Sequence, residues 1–192
     1  RIRTKPISEV LKFIKVETQG NAGNNINLDE IEAIKNNIQT LISNGFKGTI
    51  GIITSFREQK YRMEEVLRKE MDNYHTLEKE QKLIIWFVGD VQGEERDIIY
   101  YSFVEDKKIG NGRLTANYPT IGGAADSIRN LKMQRLNVGF SRAKDTMVFV
   151  HSMPLEEYSD TRLGDALKIY RQLLESAVDN FVADESIFGS PA

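Results

Sequence analysis

Thr49 to Thr54 reads TIGIIT, and Leu83 to Val88 reads LIIWFV. Both runs are short and rich in β-branched residues, and each ends in a polar turn. Apolar runs of this length, without polar alternation, predict strands buried on both faces of a parallel sheet. Between them, Glu58 to Met71 has the spacing of a helix with Tyr61, Val66 and Leu67 inward. On the N-terminal side, Leu28, Ile31, Ile34, Ile38, Leu41 and Ile42 recur at helical intervals. They predict an amphipathic helix from Leu28 to Ser43, capped by Asn27 and stopped at Asn44-Gly45. Leu11 to Val16 reads as the first strand. Further on, Ile98 to Val104 (IIYYSFV) and Met147 to His151 read as strands, and Gln134 to Ala143 and Gly164 to Val178 as helices. Glu105 to Lys132 is a long Gly-rich loop, of the kind that serves a function or is disordered. Strands alternating with helices predict one α/β domain, an open and mainly parallel sheet with helices on both faces and right-handed crossovers. Its expected extent is residues 1–182, with 183–192 a tail or linker.

Composition narrows the class. Of 192 residues, 40% are hydrophobic and 28% charged, as in a soluble globular protein. No apolar run reaches the length of a membrane span, and the first residues lack the apolar core of a signal peptide. A chain that starts at Arg1 is expected to be part of something longer. With no cysteine there is neither a disulfide framework nor a thiolate metal site, and a reducing cytoplasm is the expected location. The net charge of −2 argues against a free-standing nucleic-acid binder, but the charge is unevenly placed. Arg129 to Val150 sets Arg129, Lys132, Arg135, Arg142 and Lys144 against Asp145 alone, whereas the chain from Glu156 onward is acidic.

Ligands of open α/β sheets bind beyond the carboxyl ends of the strands, and three unusual segments are expected there. The first is IITSFREQK, Ile52 to Lys60. A Phe beside an Arg at a strand-to-helix turn offers a stacking face and a phosphate-directed cation; equally, it is a helix cap with surface charge. The second is VGDVQGEERD, Val88 to Asp97. Gly93 permits a tight turn, Gln92 can bond a phosphate or a backbone group, and Glu95 can accept from a ribose hydroxyl. Two rivals are a charged connection in which Glu95 or Asp97 pairs with Arg96 or a distant Arg, and a metal site built from Asp90, Glu94, Glu95 and Asp97. The third is RLNVGFSRAK, Arg135 to Lys144. Its two arginines stand seven apart, two helical turns, and Arg binds phosphate bidentately while staying charged.

Taken together, IGIITSFREQ, VGDVQGEERDIIYYS and RLNVGFSRAKDTMVFV resemble motifs IV, V and VI of superfamily 1 helicases. The subgroup they resemble most is that of the nonsense-mediated-decay RNA helicase and its bacterial relatives. Asn27-Leu28-Asp29-Glu30 is similar to that subgroup's N-x-x-E element, and Asn117 to Gly123 to its loop ahead of motif VI. The resemblance covers Val10 to Val150 and implies a three-layer RecA-like fold. It implies that Arg142 reaches the γ-phosphate of ATP as an arginine finger, and that Glu95 lies near the ribose. Gln92 and Gly93 would couple that site to the nucleic-acid track. Phe56 stands where the family often has Tyr, and Arg57 and Lys60 both qualify as the motif IV phosphate cation. Thr54, Ser55, Gln92 and Arg135 would face nucleic acid. Ser55 departs from a common Pro, and Gly89 from a common Asp.

The resemblance also implies what this chain lacks. The phosphate-binding loop and the Mg²⁺-binding acids belong to the family's first motor domain, so ATP with Mg²⁺ would be held mainly there. The implied partners are that N-terminal RecA-like domain and single-stranded DNA or RNA, with no membrane; no metal site is expected within this chain. Other classes remain open: a degenerate RecA-like module that binds nucleic acid or a partner without turnover, or a nuclease built on the acidic loop. Asp72 with Glu80-Gln81-Lys82 is a faint nuclease-like pattern. His75 and His151 read as surface or strand-end residues, and Trp86 as core. On its own this chain is expected to hydrolyse no ATP. A steady-state phosphate-release assay on the 192-residue chain checks this, and measurable turnover would refute it.

Overall fold

A computed structural model describes residues 10–18, 25–91, 93–104, 106, 141–154 and 172. The five strands are β1 (Leu11–Lys15), β2 (Ile50–Thr54), β3 (Leu83–Phe87), β4 (Arg96–Ser102) and β5 (Ala143–His151). They form one all-parallel sheet in the order β1-β5-β4-β2-β3. The helices among the described residues are α1 (Leu28–Ser43), α2 (Arg57–Glu70) and α3 (Tyr74–Lys79). The chain therefore has the α/β architecture around a parallel sheet that its pattern calls for.

Each residue of β2 is buried, which is why that strand is apolar on both sides. On one face Ile50, Ile52, Ile85, Tyr100, Val148 and Val150 meet Ile31, Ile34 and Ile38 of α1 and Met63, Val66 and Leu67 of α2. On the other, the pairing register lines up Phe13, Phe149, Tyr101, Ile53 and Trp86 in one row across all five strands. Phe13 stacks on Phe149 at 5.2 Å, and Tyr101 packs on Phe103 at 5.0 Å. This second face is buried too, but the described helices all lie on the first. The expected loop Glu105 to Lys132 lies outside the described residues except at 106. So do the expected helices Gln134 to Ala143 and Gly164 to Val178, except at 141–143 and 172.

The helix ends follow local rules. Asn27 is extended, and its side-chain oxygen accepts from the Glu30 N–H at 3.1 Å, capping α1. At the other end Gly45 adopts φ +86, which brings its N–H to Ile42 O and that of Phe46 to Leu41 O, a Schellman ending. Between α1 and α2, Lys35 bridges Glu70 at 2.6 Å and Glu32 at 2.8 Å. The bond to Glu32 first, then that to Glu70, holds the Lys35 ammonium above its ordinary pKa.

The sequence reading needs three corrections. Tyr61, expected inward, is 58% exposed. The buried positions of α2 are Gln59, Met63, Val66 and Leu67, and Tyr61 stands about 200° around the helix from Gln59. The one-and-a-half-turn helix α3 is too short to show a period and was not expected. Ser141 and Arg142 form a turn and Ala143 opens β5, so the strand begins well before Met147 and no helix reaches Ala143.

The two central strands are also fastened where they start. Asp97 Oδ2 accepts from the Thr49 N–H at 2.7 Å and from its hydroxyl at 2.8 Å, while the Asp97 N–H donates to Thr49 Oγ1. The Thr49 amide holds the Asp97 carboxyl below its usual range. A group with a lowered folded pKa adds stability above its unfolded value, near 4, and loses it as pH falls through the folded value. Asp97→Asn should therefore cost about 1 kcal/mol in urea unfolding at neutral pH, with the gap to wild type closing once both forms are acidified below that range. An equal gap at neutral and strongly acidic pH would contradict this.

Candidate functional site

The sheet exposes polar groups at its two ends, and the three segments singled out above divide between them. At the C-terminal end, Thr54 closes β2 and is fully buried. Ser55 Oγ lies 2.8 Å from the Tyr101 hydroxyl. Phe56 starts α2 and is only 7% exposed. Arg57 is exposed, its guanidinium 4.3 Å over the Phe87 ring and 3.4 Å from Asp90. Lys60 instead turns along the helix to Glu64 at 2.8 Å, with 20% of its side chain exposed. The geometry separates two cations that the sequence could not: Arg57 faces solvent at the strand ends and Lys60 does not. It also corrects the reading of Phe56, whose packed ring offers no free stacking face.

Beneath this end lies a buried polar network that binds four elements. Gln59 Oε1 accepts from the Asn27 N–H at 2.8 Å, and its amide donates to Asn27 O at 3.1 Å and to Ser102 Oγ at 3.0 Å. Ser102 donates to Glu30 Oε2 at 2.6 Å. Both Glu30 oxygens accept from the Val104 N–H at 3.0 Å, and Asn27 Nδ2 donates to Ser152 Oγ at 3.0 Å. Asn27, Glu30, Gln59 and Ser102 have no exposed surface. Val104, a β-branched residue at φ +69, is held in a conformation that costs of order 1–3 kcal/mol. Gln59 stood inside a quoted segment but had no assigned role, because a buried glutamine on a polar helix leaves no local signal.

The end of the second segment, Gly93 to Asp97, and the described part of the third, Ser141 to Lys144, meet at the opposite end of the sheet, and not beyond the strands' carboxyl ends where they were expected. From β3 the chain runs back over the aromatic face, with Val88 and Val91 buried in that core, and reaches the start of β4. Gly93 turns it at φ +71. Glu94 and Glu95 are exposed; Arg96 is not. Arg96 Nη1 donates to Glu95 O at 2.8 Å, and Nη2 pairs with Glu94 at 2.8 Å. Arg142 occupies the turn just before β5, and its carbonyl accepts from the Arg96 N–H at 2.9 Å. The segments that carry Glu95 and Arg142 are thereby joined through the main chain at the N-terminal edge of the sheet. The Arg142 Nε is buried without a hydrogen-bond partner among the described residues. Gln92 and Arg135 lie outside the described residues.

The same geometry takes the acidic loop apart. Asp90 sits at the C-terminal end beside Arg57, Glu94 is on Arg96, and Asp97 is on Thr49. Among the described residues no group of three acidic or imidazole side chains is close enough to share a metal ion. Asp97 pairs with Thr49 rather than an arginine, and Arg96 pairs with Glu94 rather than the Glu95 carboxylate. His151 ends β5 fully buried, with Nδ1 2.8 Å from Met153 O, and no described helix is long and apolar enough to cross a membrane.

A family profile described as an AAA domain matches residues 4–153, a span that includes all five strands and both ends of the sheet. Among solved structures, one similar chain is the C-terminal domain of a possible DNA helicase from Lactobacillus plantarum WCFS1. It is 13% identical with a TM-score of 0.44, over 80% of this chain and 81% of that chain. No curated protein matches the sequence.

Replacing Gln59 by Leu keeps the side-chain volume but strands the Asn27 N–H and takes one donor each from the Asn27 carbonyl and the Ser102 hydroxyl. The expected loss is about 2–4 kcal/mol in denaturant unfolding. A loss within about 0.5 kcal/mol, the scatter of neutral substitutions, would mean the network is not holding these elements together.

Proposed function

The chain belongs to the AAA domain family, and on that premise we propose that it is the second, C-terminal motor domain of an ATP-dependent superfamily 1 helicase. The observation that carries the reading is the 2.9 Å bond from the Arg96 N–H to Arg142 O, which joins the segments that carry Glu95 and Arg142 at one edge of the sheet. An exposed carboxylate and a half-buried guanidinium on neighbouring segments suit a nucleotide held from across a cleft by another domain. In this reading Glu95 accepts from a ribose hydroxyl. Arg142 aims its charge at the γ-phosphate, a contribution worth on the order of 10³ to 10⁵ in rate. ATP and Mg²⁺ are gripped mainly by the first motor domain, and closure of the cleft assembles the site.

The opposite edge suits single-stranded nucleic acid. Arg57 supplies an exposed cation at the strand ends, beside Thr54 and Ser55, and Phe87 braces it from below. A strand gripped through phosphates fits both DNA and RNA. Phe56 takes part only as packing under that track, and Lys60 is occupied by Glu64. The dispersal of Asp90, Glu94 and Asp97 weighs against a metal-dependent nuclease built on the acidic loop.

In the full-length protein, Arg142→Ala should lower ATP turnover by about 10³-fold while a fluorescent ATP analogue still binds. Turnover within a few-fold of wild type would remove the finger assignment and favour a module that binds without hydrolysis.

A further inference from the structure

We propose that Arg96 is the positioning residue of the nucleotide edge: its side chain fixes the Glu95 loop, while its main chain separately fixes Arg142. This rests on the reading of that edge given above. Arg96 is too enclosed to touch a nucleotide itself, since only 11% of its side chain is exposed. Its guanidinium lies 5.1 Å over the Trp86 ring. From there one nitrogen reaches the Glu95 carbonyl and another the Glu94 carboxylate, each at 2.8 Å. These contacts close a loop whose turn is set by Gly93, leaving the Glu95 carboxylate exposed on a backbone that is tied down on its inner side.

The shelf under Arg96 is made by a missing side chain. A Cβ at Gly51 would lie 2.5 Å from Trp86 Cζ3, 2.6 Å from Ile99 Cδ1 and 3.3 Å from Arg96 Cγ. Glycine at that position of a buried strand lets the indole lie flat over β2 and the arginine lie over the indole. Arginine suits the position because its planar fork serves two acceptors and stacks on a ring at once; a lysine ammonium does neither well. The bond to Arg142 uses the Arg96 amide and survives any side-chain change at 96 other than to proline. Side-chain substitution is therefore expected to loosen Glu95 and spare Arg142.

That separation makes the test specific. In the full-length protein, Arg96→Lys and Trp86→Leu are compared with Glu95→Ala and Arg142→Ala, using ATP, 2′-deoxy-ATP and 3′-deoxy-ATP as substrates, with thermal melts to verify folding. Arg96→Lys should raise KM for ATP about tenfold with kcat within about threefold, the pattern of lost ground-state binding. It should also erode discrimination against the deoxy analogues toward the level of Glu95→Ala. Trp86→Leu, which removes only the shelf, should move both quantities the same way by less. A folded Arg96→Lys protein with wild-type KM and wild-type discrimination overturns the proposal, as does one in which only kcat falls. If Glu95→Ala leaves discrimination intact or Arg142→Ala leaves turnover intact, the nucleotide reading of the edge fails first and the proposal falls with it.

Discussion

Burial of both faces of the sheet is the constraint from which the rest follows. With every residue of β2 enclosed and both side-chain rows of β4 in core, β2 carries no charged group, and those of β4, Arg96 and Asp97, stand at its first two positions. Polar chemistry is pushed to the two ends of the strands, and both ends of the central pair are tied by side chains as well as by the backbone ladder. Thr49 and Asp97 join the starts of β2 and β4; at their finish Thr54 and Ser102 stand paired in register beneath the Gln59 and Glu30 network.

The two ends are built differently. At the C-terminal end a closed set of buried amides, hydroxyls and a carboxylate fixes where α1 and α2 begin relative to β4, and exposed Arg57 rides on that base. Such a network specifies one arrangement when fully satisfied. At the N-terminal end the ties are the Thr49–Asp97 pair, the main-chain bond from Arg96 to Arg142 and the Arg96 guanidinium, and Glu94, Glu95, Lys144 and Asp145 are exposed.

Much of this was legible in the chain itself. Both ends of α1 were readable because Asn27 and Asn44-Gly45 act through local geometry, and β2 and β3 because two-sided burial writes an unbroken apolar run. What was missed depends on contacts distant in sequence. Glu30 looks like the return half of a capping box, but it bonds Ser102 and Val104 instead, and Gln59 of α2 takes the Asn27 N–H. The first residues of β5 are polar because they lie at the rim, where burial imposes no pattern, so the strand looked shorter and Arg142 seemed to sit at the other end. The end of the sheet at which the described parts of the three segments lie was not readable.

The sheet order has a consequence for how the chain is made. β1 pairs with β5, Leu11 opposite Met147, and β5 in turn lies between β1 and β4. The first strand to leave the ribosome therefore has no place in the sheet until the last described strand has been synthesised. β2, β3 and β4 can assemble with α1 and α2 while β1 waits, its apolar side uncovered. Insertion of β5 is then a closing step that must satisfy two neighbours at once, and non-local pairing of this kind is slow and prone to capture by other chains. The strand that completes the sheet is also the one that Arg142 immediately precedes, so the turn whose carbonyl accepts from the Arg96 N–H is set in place only when β5 inserts.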